Sequence, residues 1–239
     1  MGNRRNRSTE TALELLVKQI HTVWKTGNQV ASVLLLDIAG AFDTVNHLRL
    51  LDNLRKKRIP LWFVRTVQSF LTEQTTTLLV DGEETAPRQL ATGVPQGSLL
   101  SPILFLFYNA PLLEAVYQPE LPTLPLGFAD DVNLLSYGES TATTCANLEL
   151  SHEQCLDWAR THGMRFAPSK YTLTHFTRRK VFDVQAPVQL WETTVQPKLV
   201  VQILGVQLDS KLRWTAQGLA IQAKMDTQML ALKRTTVST

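Results

Sequence analysis

The pattern of hydrophobic and polar positions is dominated by a few short apolar runs, and one of them contains a single acid. The run Val33–Ile38 is apolar throughout except for Asp37. A continuous run of this length predicts a strand that is buried on both faces of a sheet. A carboxylate at the end of such a strand is costly to bury unless it is paired or bound to a metal ion.

A second apolar stretch contains two adjacent acids. Residues Leu124–Ala129 and Val132–Leu135 flank Asp130 and Asp131. Neighbouring side chains on a straight strand point to opposite faces, so both acids can line one site only at the tip of a hairpin. Taken alone, this pair also fits an exposed acidic turn, and the pattern leaves both interpretations open.

The remaining periodicity predicts helices and short strands in mixed order. Asp81-Gly82 between two β-rich runs is a strong hairpin signal, and Ser101 is predicted to cap a helix whose first residue is Pro102. The predicted helices are 9–27, 46–58, 60–70, 102–108 onward, 141–161 and 219–232; the predicted strands are 75–80, 84–91, 171–176, 188–190 and 199–208.

Composition excludes only a few classes of protein. The chain has 239 residues, 44% of them hydrophobic and 19% charged, which is ordinary for a globular protein with a core of its own. A net charge of +3 permits a polyanionic partner without requiring one. The sequence contains no apolar run long enough for a membrane-spanning helix, no phosphate-binding Gly-Lys loop, no nucleophile elbow and no metal-ligand histidine spacing.

Three carboxylates on one rigid sheet point to divalent-metal chemistry. Asp37, Asp130 and Asp131 each lie at the end of a buried-type strand. Paired Mg²⁺ ions about 3.5–4 Å apart stabilise the attacking and leaving oxygens in polymerase-type sites. Mg²⁺ prefers oxygen ligands and is usually bound by one or two carboxylates together with substrate phosphates.

Three further features have both a functional and an ordinary interpretation. Phe42, five residues after Asp37, either faces a nucleotide sugar or belongs to the core. The loop 93–98, with two glycines and a proline, either lets a template or nucleotide approach the backbone or is a simple connection. Lys170 is either a proton donor or phosphate contact, or an ordinary surface lysine.

Two basic segments are also open to both interpretations. Arg4, Arg5 and Arg7 fit phosphate contacts and a solvated tail equally well. The run Arg55–Arg58 ends a predicted helix, where cations are favoured by the helix dipole in any case, so a solvated face is the simpler interpretation.

Together, the motifs resemble those of reverse transcriptases, in the style of non-LTR (LINE-type) retrotransposons, possibly fungal. The three central motifs of that family are similar to residues 36–43, 93–102 and 128–131, in the family's order and spacing. Residues 7–9 resemble the end of its fingers motif, and residues 204–209 with Trp214 resemble its primer-grip hairpin.

The resemblance implies an α+β fold, the right-hand polymerase palm, in which an antiparallel sheet is backed by helices. It divides the chain into four parts. These are a residual fingers segment and helix at 1–30, the palm at 31–180, a primer-grip-like hairpin region at 181–214 and the start of a thumb helix at 215–239.

The resemblance also implies the reaction and its residues. A primer 3′-hydroxyl attacks a dNTP, directed by an RNA template, with Mg²⁺ as the cofactor and Mn²⁺ as a possible substitute. The residues assigned by resemblance are Asp37, Asp130 and Asp131 for catalysis and metal binding, Ile38, Phe42, Gln96, Gly97 and Lys170 for the nucleotide, and Pro95, Ser98, Leu204 and Gly205 for primer and template. The expected location is intracellular, nuclear or mitochondrial, without a membrane partner.

Departures from the family pattern leave an alternative. The chain is expected to be truncated in fingers and thumb, and the family's Asn-x-x-Lys is represented by Ala167–Lys170, which keeps only the lysine. A catalytically inactive nucleic-acid-binding remnant is therefore the competing hypothesis. An RNA-dependent RNA polymerase is disfavoured by Phe42, because a ribose-accepting enzyme needs room or a polar group there.

Overall fold

A computed structural model describes residues 8–27, 29–72, 74–179, 186–191 and 193–236. Arg4, Arg5 and Arg7 lie outside these ranges. The helices are α1 Thr9–Lys25, α2 His47–Lys56, α3 Leu61–Leu71, α4 Ser101–Val116, α5 Thr141–His162 and α6 Thr215–Thr236. The strands are β1 Val30–Asp37, β2 Thr75–Thr76, β3 Leu79–Val80, β4 Glu83–Glu84, β5 Arg88–Gln89, β6 Thr123–Phe128, β7 Asp131–Gly138, β8 Thr172–Phe176, β9 Val188–Leu190, β10 Thr193–Val195, β11 Val200–Ile203 and β12 Val206–Asp209.

Four strands form the central sheet, in the order β6-β7-β1-β8, and every pairing is antiparallel. Strand β1 lies inside the sheet, between β7 and β8. Its pairing with β7 runs from Val30 opposite Gly138 to Asp37 opposite Asp131, without a bulge. The two acid-bearing strands predicted from sequence are therefore direct neighbours.

Both faces of the sheet are covered, as the unbroken apolar run of β1 predicted. Alternate residues along a strand point to opposite faces, and on β1 Leu34 packs into one core while Val33 packs into the other. Helices α2, α3, α4 and α5 close the first core. Helix α1 and the β11–β12 hairpin close the second.

Helix α4 contributes four fully buried side chains to the first core and contains an internal proline; the four are Leu104, Phe105, Tyr108 and Leu112. Pro111 has no N–H to donate, so the carbonyl of Phe107, four residues earlier, loses its intrahelical partner. The amide of buried Asn53 on α2 lies 3.4 Å from the carbonyl oxygens of Phe107 and of Tyr108. Asn53 thus fastens α2 to the proline break of α4.

The structure corrects three local predictions. Ser101 is the first residue of α4 and Leu100 is its N-cap, because the Ser101 hydroxyl donates to the Pro95 carbonyl instead of capping the helix. The predicted strand 199–208 is a hairpin, β11–β12, that turns at Leu204-Gly205. The last helix begins at Thr215 and not at residue 219.

Two other predictions, the Asp81-Gly82 turn and the long helix at 141–161, are confirmed. Asp81 and Gly82 both have positive φ, 51° and 89°, and form the turn between β3 and β4. Helix α5 covers the predicted span and ends at Gly163, which adopts the left-handed conformation. In the described part of the chain, no helix is both long and apolar enough to cross a membrane.

Replacing Asn53 by alanine is expected to lower the free energy of unfolding by about 1–3 kcal/mol, because two buried carbonyls lose their donor. Urea denaturation followed by circular dichroism measures the change. The exposed neighbour Asp52 on the same helix provides the control, and Asp52→Ala is expected to shift stability by less than about 0.5 kcal/mol. Equal midpoints for the Asn53→Ala chain and the unaltered chain would contradict the role assigned to Asn53.

Candidate active site at the end of the central sheet

Three carboxylates meet at one end of the central sheet. Asp37 ends β1 and lies directly opposite Asp131, the first residue of β7. Residues directly opposite one another in an antiparallel pair have their side chains on the same face. Asp130 is the second residue of the two-residue turn 129–130, which links β6 to β7, and Asp131 follows it as the first residue of β7. The Asp-Asp pair therefore lies at a hairpin tip, as its two flanking apolar runs predicted.

The electrostatics of this cluster show an accumulation of negative charge. Burial raises the pKa of the Asp131 carboxyl above its ordinary range, and the charges of Asp130 and then Asp37 raise it further. The Lys170 ammonium donates to Asp37 Oδ1 at 3.0 Å. That lysine supplies positive charge at one edge of the cluster.

The loop after α5 holds the end of β1 in place. The Ala167 amide donates to the Asp37 carbonyl at 2.9 Å, and the Ala39 amide donates to the Arg165 carbonyl at 2.8 Å. Ile38, between them, forms a bridge with Phe166 and is only 4% exposed. Its side chain belongs to the core, so Ile38 can meet a nucleotide only through its backbone.

Phe42 lines a cavity of about 720 Å³ together with the loop 93–98, which is called the glycine-rich loop below. The Phe42 ring is half-buried, and its centroid lies 5.2 Å from the centroid of the Phe105 ring. The ring also forms part of the cavity wall. Gln96 and Gly97 are part of the same wall, and the Gln96 amide donates to Asp43 Oδ1 at 2.9 Å. The two interpretations of Phe42, core residue and site residue, are thus both compatible with its position.

The glycine-rich loop is fastened to its surroundings by its backbone. The Val94 amide donates to the Phe42 carbonyl at 2.8 Å, and Pro95 accepts from the Ser101 hydroxyl. Ser98 Oγ accepts from the Leu100 amide at 3.2 Å. Gly97 lines the cavity with a φ of +90°, where a side chain would be strained, and among the described residues no heavy atom beyond Gly97 and its two chain neighbours lies within 4 Å of the position that a Cβ would take.

The β11–β12 hairpin turn lies beside the Asp-Asp hairpin. Leu204 and Gly205 have positive φ, 49° and 84°. Leu204 lines a narrow crevice together with Phe128, the residue two before Asp130. The structure therefore brings the candidate primer/template hairpin next to the acidic turn.

The chemistry of this cluster suits a hard divalent cation, although no closed metal cage is preformed. Carboxylate oxygens on two adjacent strands are ligands that Mg²⁺ and Mn²⁺ prefer. Among the described ranges, no group of three or more His, Cys, Asp or Glu side chains is already gathered so that it could hold a metal ion. Since Mg²⁺ usually takes one or two protein carboxylates together with phosphate oxygens, Asp37, Asp130 and Asp131 still fit such a site.

Two residues near the site were missed by the sequence-based prediction. Asp43 accepts from Gln96, and Asn109 donates its side-chain amide to the Ala129 carbonyl at 3.2 Å. A signal for Asn109 was present, because it is a polar residue inside an otherwise apolar helix. Asp43 ends the motif at residues 36–43, but no signal paired it with Gln96, because that partner lies on a loop 53 positions further along the chain.

Replacing Asp131 by asparagine is expected to raise the thermal midpoint of the metal-free chain by about 1–2 °C at pH 7. A carboxyl pKa raised in the folded state stabilises the fold fully below the unfolded pKa, and this stability is lost as pH rises through the folded pKa. Asp131→Asn removes that loss of stability. Its higher thermal midpoint is therefore expected to return to that of the unaltered chain below about pH 3.9, the pKa of an aspartate in the unfolded chain. Thermal melts across pH in a chelating buffer test this, and an advantage that persists in acid would contradict the explanation by burial and repulsion of the Asp131 charge.

Comparison with known proteins places the chain in a family. The family model described as reverse transcriptase (RNA-dependent DNA polymerase) matches residues 1–208. The chain is 26% identical over 214 residues to a probable RNA-directed DNA polymerase from transposon BS of Drosophila melanogaster, with 88% of this chain and 23% of that protein covered. It is 29% identical to the RNA-directed DNA polymerase from mobile element jockey of the same fly, with 81% and 21% covered.

A third relative comes from another insect. The Pol polyprotein from a type-1 retrotransposable element R2 of Popillia japonica is 34% identical over 174 residues, with 66% of this chain and 26% of that protein covered. The chain thus spans about a quarter of the length of these relatives. The non-LTR retrotransposon resemblance is confirmed, whereas the fungal source stays a prediction.

Solved structures agree on the fold. A Candida albicans telomerase in complex with the TWJ fragment of telomeric RNA superimposes with a TM-score of 0.60 at 12% identity, covering 85% of this chain and 33% of that one. An apo telomerase from Candida tropicalis gives 0.56 at 13% identity, covering 86% and 39%. The predicted α+β polymerase palm is therefore confirmed at the level of the fold, and by sequence and by fold the chain belongs to the reverse transcriptase family.

Proposed function

We propose that this chain is the catalytic palm of a retrotransposon RNA-directed DNA polymerase that adds dNTPs to a primer 3′-hydroxyl. The observation that supports it most strongly is the register of β1 against β7, which sets Asp37 opposite Asp131 with Asp130 in the adjoining turn. Family membership supplies the reaction class. The boundaries 1–30, 31–180, 181–214 and 215–239 for fingers, palm, primer grip and thumb belong to the same proposal.

In this proposal the three carboxylates hold the divalent cations. Asp37, Asp130 and Asp131 supply oxygen ligands from two adjacent strands and the turn between β6 and β7. When bound, Mg²⁺ or Mn²⁺ neutralises phosphate charge and lowers the pKa of a coordinated hydroxyl. The rest of the catalytic effect comes from positioning by the central sheet, which is covered on both faces.

Nucleotide binding is assigned to the surfaces beside the carboxylates. Lys170 is 63% exposed at its side chain, so its ammonium can turn from Asp37 to a triphosphate oxygen. Phe42 meets the sugar and leaves no room for a 2′-hydroxyl, while Gln96 and Gly97 line the same cavity beside it. Ile38 contributes through its backbone alone.

Primer and template contacts are assigned to the two loops that flank the carboxylates. Pro95 and Ser98 belong to the glycine-rich loop, whose backbone is pinned to α4 and to the segment after β1. Leu204 and Gly205 form the hairpin turn next to Phe128. An RNA template and a DNA primer are the partners that this arrangement implies.

The second candidate is a nucleic-acid-binding remnant without catalytic activity. The Lys170–Asp37 ion pair favours it, because the Lys170 ammonium already binds a carboxylate oxygen of Asp37 that the polymerase proposal assigns to a metal ion. The absence of a gathered metal-binding group in the described ranges points the same way. Activity measurements separate the two candidates.

Primer extension on poly(rA)/oligo(dT) tests the proposed reaction. With Mg²⁺ or Mn²⁺ the chain is expected to add short, non-processive stretches of dT. Asp130→Ala is expected to lower this rate at least about 100-fold, because the charge-stabilising site loses a carboxylate. Asp52→Ala, an exposed aspartate on α2, is the matched control and is expected to leave the rate unchanged.

Three outcomes of that experiment are informative. Extension that survives Asp130→Ala would contradict the assigned site. A chain that extends no primer but binds the duplex, with affinity falling steeply as salt is added, would favour the remnant. Extension by the unaltered chain and by Asp52→Ala alone would support the polymerase.

Shortening the Phe42 side chain tests the sugar contact. Phe42→Ala is expected to raise the use of rNTPs relative to dNTPs at least about tenfold, since exclusion by shape disappears with the ring. Competitive incorporation of rUTP against dTTP measures the ratio. Phe105→Leu, which alters the ring behind Phe42 without opening the cavity, is the control, and unchanged discrimination in Phe42→Ala would leave Phe42 as a core residue only.

Removing the Lys170 ammonium tests whether it competes with a metal ion. Lys170→Met keeps the length of the stem and is expected to tighten Mn²⁺ binding about two- to fivefold, the size of an exposed ion pair. Isothermal titration calorimetry without nucleotide gives the affinity. Lys198→Met provides a charge-matched control, and weaker Mn²⁺ binding by Lys170→Met would show that the lysine supports the metal site and does not compete with it.

A further inference from the structure

The turn that presents Asp130 is strained. Ala129, its first residue, has a φ of 53°. This left-handed region is disfavoured for any residue with a Cβ, and alanine lacks the polar side chain by which asparagine or aspartate compensates locally. A turn of this kind persists only where its surroundings hold it.

One side chain outside the hairpin holds this turn. The Asn109 amide on α4 donates to the Ala129 carbonyl at 3.2 Å. Because a carbonyl oxygen only accepts, the group facing Ala129 must be the NH₂ end of Asn109, which fixes the orientation of the amide. The bond therefore ties α4 to the residue immediately before Asp130.

Asn109 is poorly explained as a residue that serves the fold alone. It is 4% exposed, and its Oδ1 has no hydrogen-bond partner among the residues that the structure describes. Burying an unpaired amide oxygen is unfavourable, and an apolar residue of similar size would avoid that cost. Among the described residues, the side chain of Asn109 makes one hydrogen bond, to the turn, and that bond is the gain that remains.

A close approach of α4 to the hairpin makes this bond possible. Gly127, two residues before Ala129, faces Leu113 of α4 so closely that an added Cβ would lie 2.8 Å from a Leu113 methyl. Ser101 repeats the arrangement at the start of the helix, where its hydroxyl donates to the Pro95 carbonyl in the glycine-rich loop. Both donors lie on one helix, about 12 Å apart along its axis.

We propose that Asn109 is a positioning residue for the metal site, acting through the Ala129 carbonyl to hold the strained turn in the conformation that presents Asp130. The inference rests on the proposed function, because it assumes that Asp130 binds the metal ion. Asn109 itself touches neither metal nor substrate. Its effect is to keep Asp130 preorganised, so that cation binding does not have to order the turn.

Binding of Mn²⁺ to the metal-free chain tests this directly, with the signal of free Mn²⁺ in electron paramagnetic resonance as the readout. Asn109→Ala is expected to weaken Mn²⁺ binding about three- to tenfold, the effect of one lost hydrogen bond. Asn53→Ala is the matched control. It removes another buried amide that donates to backbone carbonyls, those of Phe107 and Tyr108, and leaves both partners of the Asn109–Ala129 bond unchanged.

A second variant separates positioning from general loss of stability. Glycine adopts positive φ without strain. Adding Ala129→Gly to the Asn109→Ala chain is therefore expected to reduce the loss of Mn²⁺ affinity by at least about half. Arg58→Gly relieves a positive φ of 57° in the loop that follows α2 and is the control. It is expected to leave that loss unchanged.

Each outcome bears on the proposal. Loss of affinity in Asn109→Ala but not in Asn53→Ala, reduced by Ala129→Gly but not by Arg58→Gly, would support it. Unchanged affinity in Asn109→Ala, an equal loss in Asn53→Ala, or equal rescue by Arg58→Gly would overturn it.

Folding and the proposed function are checked in the same series. Should Asn109→Ala not fold, Asn109→Ser takes its place, and failure of both to fold would overturn the proposal, since the residue would then serve the fold. If the unaltered chain binds no Mn²⁺, or binds it equally well after Asp130→Ala, the metal site itself is refuted. If Asp130→Ala weakens binding and Asn109→Ala does not, only the positioning role fails.

Discussion

The pairing of β1 with β7 is the constraint on which the rest of the structure depends. Both strands contribute side chains to both cores, so their register is set by two cores at once, and a slip of one residue would move every side chain to the wrong face. That register puts Asp37 opposite Asp131 at the end of the pair. The cost of assembling like charges there is met by the stability of a strand ladder that is buried along most of its length.

Around this pair, each neighbouring element fixes one part of the site. The loop after α5 holds the end of β1 through two backbone hydrogen bonds. It also carries Lys170, whose ammonium donates to the Asp37 carboxylate. Helix α4 reaches the glycine-rich loop through Ser101 and the acidic turn through Asn109. A candidate site whose side chains come from a sheet, a turn and a loop is thus held by packed elements behind it, which is the arrangement that the proposed preorganisation requires.

Much of this could be predicted from the sequence, because the signals were local. Continuous apolar runs gave the buried strands, Asp81-Gly82 gave a hairpin, and acids between apolar runs gave the hairpin tip. The prediction failed where a distant partner decides the outcome. Ser101 donates to Pro95 and does not cap α4, and Asn109 matters only because α4 approaches the hairpin at Gly127. Likewise, the Lys170–Asp37 pair depends on a loop that follows β1 by more than a hundred residues.

The central claim is that Asp37, Asp130 and Asp131 form one site for a divalent cation. Anomalous diffraction from crystals of the chain soaked in Mn²⁺ measures this most directly, because the Mn²⁺ signal locates the ion without reference to activity. We expect a peak within about 2.0–2.4 Å of carboxylate oxygens from both β1 and the β6–β7 hairpin, close to the oxygen-ligand distances of hard cations. The Lys170 ammonium should then have moved away from Asp37. A Mn²⁺ peak on other residues, with the three carboxylates unliganded and Lys170 still on Asp37, would contradict the claim.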